Sequence, residues 1–185
     1  MGNRRALARG GCSTGHLGYE MDTSTVDIAS EAESLFRQAD RFEEARQFQE
    51  AFRCFSKAAE LGHTSSQVNL GNYYASGTGV RKDYAKASYW YKRAFRNGSA
   101  IAARNLAIDR LALGDVRSAI LWLKKAVEQK DGRSFVLLAR LYSKQRGGKE
   151  KARTLLQRVC RLNRDHASEV DLEDARALLS EIGLR

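Results

Sequence analysis

Residues 65–99 read SSQVNLGNYYASGTGVRKDYAKASYWYKRAFRNGS, and this stretch decides the fold. Leu70, Gly71 and Tyr74 share one helical face, as do Ala87, Tyr91 and Ala94 further on. Between the two runs lies Gly77-Thr78-Gly79-Val80, a turn signal. A small residue lets two helix backbones approach, and a large one four positions later fills the space beside it. Working outward, the pattern recurs. Second helices carry Ala51, Phe55 and Ala58; Ala119, Leu123 and Ala126; Ala152, Leu156 and Val159. First helices carry Leu35, Ala39 and Phe42; Leu106 and Ala107; Leu138, Ala139 and Tyr142. Ala51, Ala87, Ala119 and Ala152 are spaced by 36, 32 and 33 residues. One such pair cannot bury its own apolar stripe, so pairs must stack. The expected fold is all-α: a right-handed superhelical solenoid of about four antiparallel helix pairs plus a C-terminal capping helix. The chain divides into a disordered tail at 1–26, a repeat array at 27–164 and the cap at 165–185. Asp171-Leu172-Glu173-Asp174 opens the cap, because acids suit a helix N-terminus.

Composition agrees. The chain has no proline, where about 9 would be usual at ~5%. No apolar run approaches the ~20 residues of a membrane span. The net charge of +10 is unevenly spread. Residues 64–164 hold 22 basic and 6 acidic side chains, whereas the flanking segments are net negative. Such a field favours anionic partners without choosing among acidic proteins, nucleic acids and headgroups. Cys12, Cys54 and Cys160 form no close pair, and His16, His63 and His166 have no zinc-ligand spacing. Cys54 and Cys160 read as small core residues, Trp90 and Trp122 as wedges between adjacent pairs. The first 20 residues have three arginines but no apolar region of a secretory signal. A reducing cytoplasm is the expected compartment.

The second unit resembles the Sel1-like repeat, a branch of the tetratricopeptide superfamily. The matching features are Asn69-Leu70-Gly71, the tyrosine before Gly-x-Gly-Val, Asp83-Tyr84 with Lys86-Ala87, and Trp90-Tyr91 with Ala94. Gly77–Val80 is the longer loop of that branch. Units one, three and four lack it and look like plain tetratricopeptide repeats. Gln38 and Arg110 stand where apolar or aromatic core residues are usual. The resemblance implies protein–protein binding by an adaptor, assembly factor or neutraliser, without catalysis or a cofactor.

No enzyme motif competes with that implication. Gly77-Thr78-Gly79 follows a helix rather than a strand, and Gly147-Gly148-Lys149 lacks the rest of a phosphate loop. Counting around each first helix, the face opposite the core is the concave one. It carries Glu33, Asp40 and Glu43, then Val68, Asn69, Asn72 and Ala75. Ile101, Arg104, Ile108 and Leu111 follow, then Arg133, Val136, Arg140, Ser143 and Lys144. The expected partner-binding residues are Asn69, Asn72, Ile101, Arg104, Ile108, Leu111, Arg133, Arg140 and Lys144. Apolar mid-groove positions should take an apolar anchor, and the basic end an acidic protein or peptide. Asn72, Asn105 and Arg133 also match three positions of a tetratricopeptide carboxylate clamp, while Val68 and Leu137 break it. On the outer helices, Lys82, Lys86, Tyr89, Arg93 and Arg96 form a basic stripe, as do Lys149, Arg153, Gln157, Arg161 and Arg164. These offer an alternative, nucleic-acid-binding reading of the basic 64–164 region.

Overall fold

The computed structural model describes residues 23–162 and 165–183. Among them nine helices follow one another: α1 (Thr23–Glu44), α2 (Phe48–Glu60), α3 (Thr64–Ser76), α4 (Tyr84–Arg96), α5 (Ala100–Ala112), α6 (Val116–Glu128), α7 (Gly132–Ser143), α8 (Lys149–Val159) and α9 (Glu169–Gly183). Each packs on its neighbour in sequence, and α3 meets α5 as α7 meets α9. This is an all-α helical solenoid in which odd-numbered helices meet across units, the side expected from the sequence to be concave.

Local chemistry starts the helices where the turn signals stand. Asp83 Oδ1 accepts from the N–H groups of Ala85 and Lys86 at 2.9 and 3.0 Å. Ser99, Asp115 and Asp131 cap α5, α6 and α7 in the same way. Such caps satisfy N–H groups that have no partner within the helix. Before α9, Ser168 and Asp171 form a reciprocal capping box. Asp171 Oδ2 accepts from the Ser168 N–H at 3.1 Å, and Ser168 Oγ accepts from the Asp171 N–H at 3.2 Å.

The repeated alanines Ala51, Ala87, Ala119 and Ala152 are wholly buried, as are Phe55, Leu123 and Leu156, with Tyr91 nearly so. Gly71 shows why one position must be so small. A Cβ there would lie 2.4 Å from the Tyr91 ring. The Gly77–Val80 loop ties two units together. Gly77 ends α3 in the left-handed region (φ 81°). Gly79, at φ 64°, lies so close to the Phe48 carbonyl that a Cβ would come within 2.7 Å of its oxygen. Val80 then packs on the cluster formed by Phe55, Tyr73, Phe48 and Phe52.

Several expectations are corrected. Helix α1 already begins at Thr23; residues 1–22, with Cys12 and His16, lie outside the described residues. Cys54 is half-buried and Cys160 exposed rather than in the core. Each is one residue, or about 100°, off the buried stripe that passes through Phe55 and Val159. Trp122 bridges two units, edge-on to Phe95 at 5.6 Å and in contact with both flanking clusters, but stays half-buried. Trp90 lies at the outer rim against Tyr89, with the Arg93 guanidinium 5.4 Å from its ring centre. Gln38 is exposed, and Arg110 donates to the buried Ser88 hydroxyl at 2.9 Å.

Candidate partner-binding groove

The concave residues do not form one uniform surface. Val68 and Val136 are buried, because each lies one turn before a core residue, Gly71 and Ala139. Leu111 is half-buried against the cluster of the later units. Ile101 and Ile108 remain open to solvent, at 48% and 45% exposure. Asn69 is half-buried and Asn72 exposed.

The basic end is largely occupied by the chain itself. Arg104 Nη1 pairs with Asp131 Oδ1 at 2.7 Å, tying α5 to the start of α7. Arg133 pairs with Asp174 and lies 3.7 Å from Asp171. Arg140 lies 3.7 Å from Asp174. The acidic groups expected from a partner are thus supplied within the chain, by Asp131 to Arg104 and by α9 to Arg133 and Arg140. Arg140 and Lys144 also line a cavity of about 510 Å³ with Leu178, Glu181 and Ile182 of α9. At the opposite end, burial and then the neighbouring Glu44 and Glu33 carboxylates raise the pKa of Asp40. Glu43 accepts from the Tyr73 hydroxyl at 3.2 Å.

Between these ends, α3, α4 and α5 enclose an open cavity of about 370 Å³. It is lined by Asn72, Ala75, Ser76, Tyr91, Asn105, Ile108 and Asp109. Asn72 Oδ1 accepts from both the Tyr91 hydroxyl (2.8 Å) and Asn105 Nδ2 (2.9 Å). The clamp-like positions are therefore divided: Asn72 and Asn105 hold each other, and Arg133 is turned to α9. Asp109 was not among the expected site residues, since acids on these helices read as solvated. Its Oδ2 is instead buried with no hydrogen-bond partner. Burial raises its pKa to about 6, against the weaker opposing pull of Arg110 and Lys82. Its place one turn after Asn105 and next to Ile108 was the available sequence signal.

The convex side is basic and partly aromatic. Tyr89, Phe95 and Trp122 line a shallow cavity of about 370 Å³ with Lys92, Arg96 and Lys125. Lys125 Nζ sits 4.3 Å from the Trp122 ring centre. Among the described residues no cluster of acids, histidines and cysteines could hold a metal ion. No described helix is long and apolar enough to cross a membrane.

Stacked antiparallel helix pairs with buried small residues at each crossing place the fold among the tetratricopeptide-like helical-repeat proteins. The Sel1 repeat family matches residues 44–63, 64–99 and 100–131, so this stretch of the chain carries Sel1 repeats. The match extends to units one and three, which on sequence looked like plain tetratricopeptide repeats. Among solved structures, the chain is similar to a Sel1 repeat protein from Oxalobacter formigenes. The identity is 22% and the TM-score 0.65, covering 84% of this chain and 75% of that one. It is also similar to a protective antigen present in uropathogenic Escherichia coli strains, which displays an SLR fold. There the identity is 19% and the TM-score 0.63, covering 83% of this chain but 38% of that one. No curated protein sequence matches the chain. The Sel1 repeat family is in general a protein–protein interaction module.

Proposed function

We propose that this chain is a non-enzymatic adaptor or assembly factor that receives a segment of a partner protein on its concave face, between α3 and α5. The observation that carries this reading is the open cavity beside exposed Ile108. An exposed apolar side chain beside polar groups able to bond further is the make-up of a recognition surface. With Asn72 Oδ1 engaged, the Asn72 amide N–H groups and the Asn105 side-chain carbonyl stay open to a partner's backbone. Ile101 and Asn69 extend the same face. At the basic end, Lys144 and Arg140 remain candidates for acidic partner groups beside α9.

The convex face supports the alternative of nucleic-acid binding less well. Its Trp122 ring is already approached by Lys125, which obstructs base stacking. Peptides selected from a displayed random library on the full chain test the reading. Ile108→Glu should weaken the best peptide at least tenfold, and Leu121→Glu on α6 should leave it unchanged. The opposite pattern would move the binding site to the convex side.

A further inference from the structure

We propose that the concave cavity between α3 and α5 is a subsite for a cationic side chain, lysine or arginine, of the partner segment, with Asp109 as its counter-charge. The inference rests on the concave face being the binding surface and names what that face selects.

A carboxylate oxygen cut off from water is ordinarily hydrogen-bonded or paired, because removing its hydration without replacement is costly. Asp109 Oδ2 has neither kind of partner within the described chain. The nearby cations act on Asp109 more weakly than its burial does, and each has another contact. Arg110 donates to Ser88, and Lys82 Nζ sits 4.7 Å from the Tyr84 ring centre. Arg104, on the same helix, is paired with Asp131. None of the residues lining the cavity is basic, although the chain as a whole carries +10. The site is therefore a negative pocket in a positive molecule.

The remaining lining suits a long cationic side chain. Ala75 and exposed Ile108 offer apolar walls to an aliphatic stem. The Asn105 side-chain carbonyl lies at the same cavity as an additional acceptor. Ser76 Oγ is already occupied: it donates to the Asn72 carbonyl at 2.9 Å and accepts from the Thr78 N–H at 3.2 Å and the Thr78 hydroxyl at 2.8 Å. A volume of about 370 Å³ falls within the ~300–1,000 Å³ of ligand cavities. An acidic or purely apolar side chain would leave the Asp109 oxygen unpaired or face it with like charge.

The charged and titratable groups around Asp109 are Tyr91 from α4, Lys82 from the segment before α4, and Arg110 from α5. Asp109 becomes neutral as the pH falls through about 6.

The test is a positional-scanning library of nine-residue peptides against the full chain at pH 7.5. One position should select lysine or arginine. Replacing that residue with citrulline should cost at least tenfold in affinity, and so should Asp109→Asn. Affinity for the native peptide should also fall between pH 7.5 and 5.5, and this dependence should be lost in Asp109→Asn. Circular dichroism and thermal unfolding check that the variants fold. Peptides that lose binding with Ile108→Glu but carry no selected cation, or ignore Asp109→Asn, would overturn the inference and leave the groove reading intact. Binding insensitive to both changes but lost with Leu121→Glu would overturn the groove reading itself. Selection of no peptide at all would overturn the inference.

Discussion

At the scale of single residues, Asp109 and Gly71 have opposite roles. Asp109 is half-buried, with no hydrogen-bond partner for its Oδ2 among the described residues, so its charge opposes folding. Its folded-state pKa, about 6, lies above the ordinary 3.8. The unfolded chain therefore loses this proton first as the pH rises. The destabilisation is absent below about pH 4, grows between 4 and 6, and is complete above. Asp109→Asn should accordingly raise stability at pH 7.5 by about 1–2 kcal/mol. That is less than the ~3 kcal/mol of the full shift, because solvent still reaches part of the residue. At pH 4 the variant and the parent should unfold at the same denaturant concentration; urea titrations at both values check this. Gly71 is the reverse case, a residue fitted closely to its neighbour. Gly71→Ala should cost about 1–3 kcal/mol through overpacking against Tyr91, read from the same titration. Trp122→Ala should cost about 1–3 kcal/mol, below the ~3–5 of a fully buried ring.

At the scale of the helix, turn and cap signals are local, and of these the Gly77–Val80 turn and the acids of α9 were legible in the sequence. Asp83, Ser99, Asp115 and Asp131 each stand immediately before a run with helical periodicity, and each closes its cap as its side chain allows. Ser168 with Asp171 does the same for α9. Ser168→Ala should destabilise α9 by about 1 kcal/mol, seen as faster amide hydrogen exchange in 169–183 than in α4. The stripe of small residues was equally legible, since 3.6-residue periodicity needs no knowledge of what packs opposite. Cys54, Trp90 and Cys160 were misplaced because a neighbour of the stripe is only 100° away. Whether such a position is covered depends on the adjoining unit.

At the scale of the whole molecule, α9 does more than cover apolar surface. Its Ala175, Leu178 and Ile182 complete the cluster of the last units, while Asp171 and Asp174 meet Arg133 and Arg140. Removing residues 165–185 should therefore expose that cluster and leave neighbouring arginines unbalanced. In a solenoid, stability passes between adjacent units, so α7 and α8 should lose exchange protection first while α3 and α4 keep theirs. Uniform loss across all helices would mean the array folds as a single cooperative unit.

The sequence by itself determined the repeat, the buried alanines with their large companions, and the all-α class. All of these depend on spacing within one or two helices. The fate of the charges was decided only by the tertiary structure. Arg133 and Asp174 are 41 residues apart, and Arg104 and Asp131 are 27 apart. Their pairing depends on how far each unit turns relative to the last. The same stacking closes Asn72, Tyr91 and Asn105 together and leaves Asp109 Oδ2 without a hydrogen-bond partner among the described residues. The physical reason is that periodicity specifies which face of a helix is buried. The rotation between stacked units specifies which side chains then meet across the groove, and that rotation is a property of the packed interfaces rather than of any one stretch of chain.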